Sequence, residues 1–295
     1  MKTTTWIQKN IPSLSGKVVA VSGATGGIGV VLCEHLAFLG AELILLDRNQ
    51  EKAEALQRRL EKDFPAVKIR RIRMDLEDMA SVKEAARELL KTPVDGLILN
   101  AGAYHIPRHK CDTGLDNVFQ INFGSPYYLA KTLQPHLAAR GGKLVAVGSI
   151  AHNYSKADPE DVDFVTRKKH SLAYGNAKRF LMFSLYGLYE GKTGLAVVHP
   201  GITFTNITAH YPKVIFAIIK HPMKVIFMKP KRACLSILQG LTEDCGRNQW
   251  IGPKWFDIWG LPKKKVLKTC GAEEAAWICE TAEEIYEGTQ KNLSF

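Results

Sequence analysis

The chain has little of what marks a secreted, metal-stapled or membrane-spanning protein. Only six of its 295 residues are cysteines (Cys33, Cys111, Cys234, Cys245, Cys270 and Cys279), and no two form a Cys-x-x-Cys pair. That spacing argues against zinc ribbons and thioredoxin-like redox motifs and leads us to expect free buried thiols and no metal site. The longest unbroken apolar run, Val214 to Ile219, is far short of the ~20 residues that span a bilayer. The segment from Met1 to Leu14 lacks the apolar core of a signal peptide. A cytoplasmic location is therefore expected. Acids are also scarce, with 29 Asp and Glu against 40 Lys and Arg, a net charge of +11. From Gly191 to Thr242 there is no acid at all, while Lys192, Lys213, Lys220, Lys224, Lys229, Lys231 and Arg232 fall in that stretch. Such an excess suits nucleic acid or an anionic membrane. No nucleic-acid module is recognisable, so no nucleic-acid partner is expected.

What is present is an ordinary globular composition, 46% hydrophobic and 23% charged. A chain of this length can bury a core without staples. Short apolar runs at Val18 to Val21, Leu43 to Leu46, 67–74, 94–99, Leu144 to Val147 and Leu195 to Val198 alternate with helix-length amphipathic segments. The helical segments lie up to Leu39 and at 50–63, 78–91, 114–139 and 172–190, with a last helix near 272–288. Continuous apolar strands alternating with helices predict a parallel sheet covered on both faces. Right-handed crossovers make it an α/β, Rossmann-type doubly wound fold of about seven strands. The polar stretch 152–170 reads as a loop, and Pro200, Pro212, Pro222 and Pro230 break the last third into short pieces. No linker or repeat divides the chain, so residues 1–295 are expected to form one domain, with a helical substrate lid near 206–232.

Residues 22–29 read Ser-Gly-Ala-Thr-Gly-Gly-Ile-Gly, between a predicted strand and a predicted helix. Glycines there let the backbone turn tightly and approach a pyrophosphate, and the helix that follows presents free N–H groups to it. Gly23, Thr25, Gly26, Gly27, Ile28 and Gly29 are thus candidate cofactor residues. Asp47 ends the second predicted strand. A carboxylate there accepts both ribose hydroxyls and repels a 2′-phosphate, which favours NAD(H). Arg48 follows it and could hold that phosphate instead, leaving NADP(H) open.

Read in order over residues 17–206, the chain resembles the short-chain dehydrogenase/reductase family. The resemblance is carried by the glycine cluster, Asp75, Asn100-Ala101-Gly102, Asn122, Ser149, Tyr174 with Lys178, and Pro200-Gly201 with Thr205. The spacing Gly23, Gly27 and Gly29 and the Asn-Ala-Gly place it in the compact branch. The 25 positions from Ser149 to Tyr174 resemble retinol-dehydrogenase-like members. Two Tyr-x-x-x-Lys pairs occur, Tyr127 with Lys131 and Tyr174 with Lys178. Only the second follows the strand that ends near Ser149. A doubly wound sheet binds ligands beyond strand carboxyl ends, so Tyr127 reads as a surface or helix-packing residue.

The resemblance implies roles. Tyr174 is the general acid/base of a hydride-transfer reaction between alcohol and carbonyl. Lys178 lowers its pKa and binds the nicotinamide ribose, Ser149 donates to the substrate oxygen, and Asn122 helps order a proton-relay water. A phenol near pKa 10 must drop by about three units to act as a base, roughly 4 kcal/mol. One ammonium about 4 Å away supplies about that at an effective dielectric near 20. Asp75 with Leu76 would meet the adenine. Asn100, Ala101 and Gly102 would line the cofactor site together with Pro200 and Gly201, and Thr203 and Thr205 would meet the pyrophosphate or carboxamide. The apolar 206–232 segment suits an apolar small-molecule substrate, and its basic residues suit peripheral contact with a membrane. A homodimer or homotetramer through the helices near 114–139 and 172–190 is implied. Two other readings remain: a sugar-nucleotide epimerase or dehydratase of the extended branch, whose spacing Gly23, Gly26 and Gly29 also match, and a non-catalytic dinucleotide-binding regulator.

Overall fold

The computed structural model describes residues 3–202 and 228–291. Helix α1 (Thr3–Asn10) leads into strand β1 (Val18–Ser22), α2 (Gly27–Phe38), β2 (Glu42–Asp47), α3 (Gln50–Asp63), β3 (Ile69–Arg73), α4 (Met79–Leu90) and β4 (Gly96–Leu99). The cycle repeats with α5 (Asn117–Phe119), a π-turn (Gln120–Gly124), α6 (Ser125–Ala139), β5 (Lys143–Val147), a 3₁₀ turn (Ile150–Asn153), α7 (His170–Leu188) and β6 (Leu195–Val198). After the undescribed segment come α8 (Pro230–Gly240), β7 (Gln249–Trp255), β8 (Trp259–Val266) and α9 (Ala272–Lys291).

Local chemistry sets these boundaries. Gly40, at φ +87°, takes a backbone shape that closes α2. The Asn49 side chain accepts from the Lys52 N–H at 2.9 Å, and that of Asp78 from the Ser81 N–H at 3.1 Å. These side chains satisfy N–H groups that the first turns of α3 and α4 leave unpaired.

The strand order is β3-β2-β1-β4-β5-β6-β7-β8, parallel throughout except for β8. The order reverses direction at β1 and β4, which opens a crevice beyond their carboxyl ends. Two cores cover the sheet. One packs α4, α6, α7 and α9 on one face, and the other packs α1, α2, α3 and α8 on the opposite face.

Two features differ from the sequence reading. The sheet has eight strands rather than about seven, because 249–266 folds as an antiparallel hairpin. Pro253, Pro262 and a run of three lysines hide the alternation there. Helix α1 forms in a segment with no pattern to announce it, burying Trp6 and Ile7. The helices expected to carry a subunit interface, α6 and α7, are met by α9 of the same chain. Tyr127 and Lys131 both bind Glu283, Trp277 packs edge-on against Phe180, and Arg179 pairs with Glu274. Part of the surface of both helices is thus covered within the chain itself. Tyr127 is buried, and its hydroxyl donates to Glu283 on α9.

Candidate active site

The crevice is a cleft of about 620 Å³ at the switch point. Its lining includes Gly23, Thr25, Gly26, Gly27, Ile28, Gly29, Asp47, Arg48, Asp75, Leu76, Asn100, Ala101 and Gly102, so the cofactor residues expected from the first 102 positions converge. Gly23 adopts φ +63°, and a Cβ there would come within 3.0 Å of the Ala101 Cα. A Cβ on Gly29 would come within 2.1 Å of the Gly23 carbonyl oxygen. The loop and the first turn of α2 can close on each other only without those side chains. Asn100 locks this arrangement from β4, donating to the carbonyls of Ser22 at 3.0 Å and Gly23 at 3.2 Å. The Ser22 hydroxyl accepts from the Asn100 and Ala101 N–H groups, both at 3.0 Å. Ser22 escaped the sequence reading, and only its place beside the glycines could have flagged it.

Asp47 is buried at the end of β2 and accepts from the Thr25 hydroxyl at 2.7 Å. Its second oxygen, Oδ2, is buried and has no hydrogen-bond partner. Burial raises the carboxyl pKa, and the Thr25 hydrogen bonds oppose that rise. Arg48 is exposed, with Nη1 3.9 Å from a Glu77 carboxylate oxygen. A hairpin of glycines, a free helix start and an unsatisfied carboxylate oxygen at the second strand fit a dinucleotide: phosphates at the loop and ribose at Asp47.

Gly102 carries the cleft toward the second group of residues. A Cβ there would meet Asn122 Oδ1 at 2.8 Å and Lys178 Nζ at 3.6 Å. Asn122 sits in the π-turn, a rare helical irregularity that re-aims its side chain. That side chain is fully engaged: it donates to the carbonyls of Ala103 and Val118, both at 2.8 Å, and accepts from the Ala103 N–H at 3.3 Å.

Ser149 follows β5 and caps the 3₁₀ turn, accepting from the Ala151 N–H at 3.2 Å. Tyr174 and Lys178 lie on one face of α7, with Nζ 5.8 Å from the phenol ring centre. Lys178 is buried and donates to the Val147 carbonyl at 2.9 Å. Burial pulls its ammonium down to about 8. Burial pushes the Tyr174 phenol up to about 12 against the lowering influence of Ser149, so the lowering expected from Lys178 does not prevail in this geometry. The Tyr104 ring meets Tyr174 edge-on at 5.3 Å. Tyr104 was missed, although its place two residues after Asn-Ala-Gly puts it at the site.

The 154–169 loop is anchored by side chains from outside it. Arg108 binds Asp116 at 2.9 Å and the Phe164 carbonyl at 2.7 Å, and Asn176 donates to the Val162 carbonyl at 2.8 Å. Pro200 and Gly201 follow β6 but do not line the cleft; Gly201 packs against Met228 and Ile258. Thr203, Thr205 and positions 206–227 of the expected lid lie outside the described residues.

Known proteins agree with this geometry. A family model for short chain dehydrogenase matches residues 17–158. An oxidoreductase of Schizosaccharomyces pombe is 28% identical over 99% of this chain and 89% of its own length. Human polyprenol dehydrogenase is 27% identical over 70% of this chain and 66% of its own. Mouse retinol dehydrogenase 13 is 28% identical over 67% and 62%. A crystal structure of a protein from Mycobacterium paratuberculosis shares the fold at TM-score 0.75 and 23% identity, covering 95% of this chain and 96% of that one. Further structures of this fold were solved with NADP or NADPH. With the glycine loop and the Asn-Ala-Gly turn at the strand ends of one doubly wound sheet, the chain is similar to the short-chain dehydrogenase/reductase family of oxidoreductases, and to its retinol-dehydrogenase-like members among them.

Proposed function

We propose that the chain interconverts an alcohol and a carbonyl on an apolar small molecule, with Tyr174 as general acid/base. The observation that carries this reading is Lys178, whose Nζ lies 3.6 Å from where a Gly102 Cβ would stand at the end of the dinucleotide cleft and 5.8 Å from the Tyr174 ring centre. A bound nicotinamide dinucleotide supplies or accepts the hydride. The chain's own residues supply the rest. Ser149 and Tyr174 present two hydroxyls to one substrate oxygen, and a phenol pushed up to about 12 is still a far better proton donor than an alcohol. Lys178 donates one N–H to Val147, which leaves two for a ribose and for the phenolate charge that Tyr174 takes on when it gives up its proton. Asn122, its side chain engaged by backbone, holds the Ala103 turn in place rather than offering its amide to a water.

Asp47 Oδ2, buried and unsatisfied, suits a ribose hydroxyl donor and disfavours a 2′-phosphate, which supports NAD(H) over NADP(H) for this chain. The names of polyprenol dehydrogenase and retinol dehydrogenase 13 support an apolar, isoprenoid-like substrate class. The test is absorbance at the reduced-nicotinamide band with a panel of apolar and sugar-like alcohols and carbonyls. The proposal expects turnover of the apolar set, reduced at least about a hundredfold by Tyr174→Phe while dinucleotide affinity holds. Turnover confined to the polar set refutes the substrate class, and turnover unchanged by Tyr174→Phe refutes the mechanism.

A further inference from the structure

The β7–β8 hairpin ends in a feature that the oxidoreductase reading does not use. Its turn runs Trp255-Phe256-Asp257-Ile258, closed by the Ile258 N–H to the Trp255 carbonyl at 2.9 Å. Phe256 and Asp257 adopt φ of +53° and +57°. Consecutive left-handed residues at a hairpin tip favour Asn and Gly, and a bulky side chain there costs free energy. Asp257 is held by Lys265 at 2.8 Å, but Phe256 recovers nothing by burial, being 82% exposed. Trp255 is 57% exposed, and Trp259, opposite it in the hairpin, and Leu261 are exposed as well. A surface that served only water would gain nothing from a strained, exposed Phe between two exposed Trp.

The charges around the tip indicate the partner. Residues 254–268 hold five lysines, Lys254, Lys263, Lys264, Lys265 and Lys268, against one acid, Asp257. The Lys254 ammonium lies 5.1 Å from the Trp255 ring centre. The same lysines, with Pro262, make β8 a poor edge for pairing with a second copy of the chain, because like charges would meet. Exposed aromatics framed by lysines match the two layers of an anionic bilayer surface: apolar rings at headgroup depth and cations over the phosphates. The base of the tip packs near the end of β6: the Ile258 carbonyl lies 2.9 Å from the position a Gly201 Cβ would take.

We propose that the Trp255–Trp259 hairpin tip docks the protein on anionic lipid bilayers, with Phe256 as the inserted side chain. The docking is independent of the substrate reading, because its test reads binding and not turnover. The full chain is floated with vesicles of phosphatidylcholine alone and with about 30% phosphatidylserine at low and high salt. Expected is binding to the anionic vesicles that weakens with salt, and quenching of tryptophan fluorescence by brominated lipid. Phe256→Asn should lower vesicle affinity about tenfold while thermal stability holds or rises, since Asn accepts the left-handed backbone better than Phe. Lys254→Gln with Lys263→Gln should lower it about thirtyfold at low salt. No flotation with anionic vesicles, or flotation that Phe256→Asn leaves unchanged, overturns the proposal. Self-association without lipid that Phe256→Asn abolishes also overturns it, by assigning the tip to a second copy.

Discussion

Gly29→Ala tests the phosphate cradle at the point where the structure leaves least room. The new Cβ would lie 2.1 Å from the Gly23 carbonyl oxygen and 2.8 Å from that of Ala24. Both neighbours are backbone, so no side chain can swing aside; the loop or the first turn of α2 must shift by about 1 Å. Overpacking of that kind costs about 1–3 kcal/mol of stability, partly offset by the roughly 1 kcal/mol that Ala gains over Gly in a helix. The net loss of folding free energy is therefore about 0–2 kcal/mol. Binding should suffer more. A hydrogen bond near 2.9 Å, stretched by about 1 Å, is lost. Bonds to a charged phosphate are worth about 1.5–3 kcal/mol each. Losing one or two of them amounts to about 3 kcal/mol, roughly a hundredfold in Kd. The assay is calorimetric or fluorescence titration with NADH and NADPH, run beside thermal melting of both proteins without ligand. A variant that melts lower yet binds both nucleotides within threefold of the parent would show that the loop does not hold the phosphates.

Lys178→Met should abolish turnover yet raise the melting temperature at pH 7. Burial lowers the Lys178 pKa from 10.5 to about 8, so at pH 7 the folded state carries a buried ammonium at a cost of about 3 kcal/mol, only partly offset by its bond to Val147. The sign follows from proton counts: between pH 8 and 10.5 the unfolded chain binds more protons at this site, so its contribution to stability rises with pH there, and the gain from Lys178→Met should shrink across that window in pH-dependent melts. Arg179→Met leaves the Glu274 carboxylate without its 2.6 and 2.7 Å partners and should cost about 3–5 kcal/mol in denaturant unfolding; a loss below 1 kcal/mol would refute the pairing of α7 with α9. Desolvation works against the Glu274 carboxylate, but the Arg179 and Ala157 hydrogen bonds hold its carboxyl below the usual range. The stability from this pair is therefore present at neutral pH and lost as pH falls through that lowered value, and Glu274→Gln should flatten the acid limb of the pH–stability curve. Asp47→Ser should move the ratio of kcat/KM for NAD(H) over NADP(H) toward NADP(H) by at least about tenfold; an unchanged ratio removes Asp47 from cofactor choice.

Much of this site is legible in the sequence because each part is a local pattern at a strand end. The glycines lie between β1 and α2, Asp47 ends β2, Asn100-Ala101-Gly102 follows β4 and Ser149 follows β5. A doubly wound sheet brings all strand carboxyl ends to one edge, so order along the chain becomes proximity in space. What the sequence hides are partners without a local pattern. Ser22 matters because its hydroxyl takes two N–H groups from positions 78 and 79 residues away. Helix α9 reads as an ordinary amphipathic helix, and nothing in it announces that Glu274 and Glu283 will bind α7 and α6. The pKa of Tyr174 fails for a related reason. Four residues of separation place Lys178 on the same helix face, but the burial that decides both pKa values comes from the surrounding fold. The same burial tests the site's logic. A buried lysine near 8 and a half-buried phenol near 12 are poorly suited to deprotonate an alcohol at pH 7 and well suited to protonate an alkoxide. Unless ligand binding brings the Lys178 charge to bear on Tyr174, reduction should be less sensitive to alkaline pH than oxidation, and a pH–rate profile with oxidation climbing steadily above pH 8 while reduction stays level would show the proton-donor role prevailing.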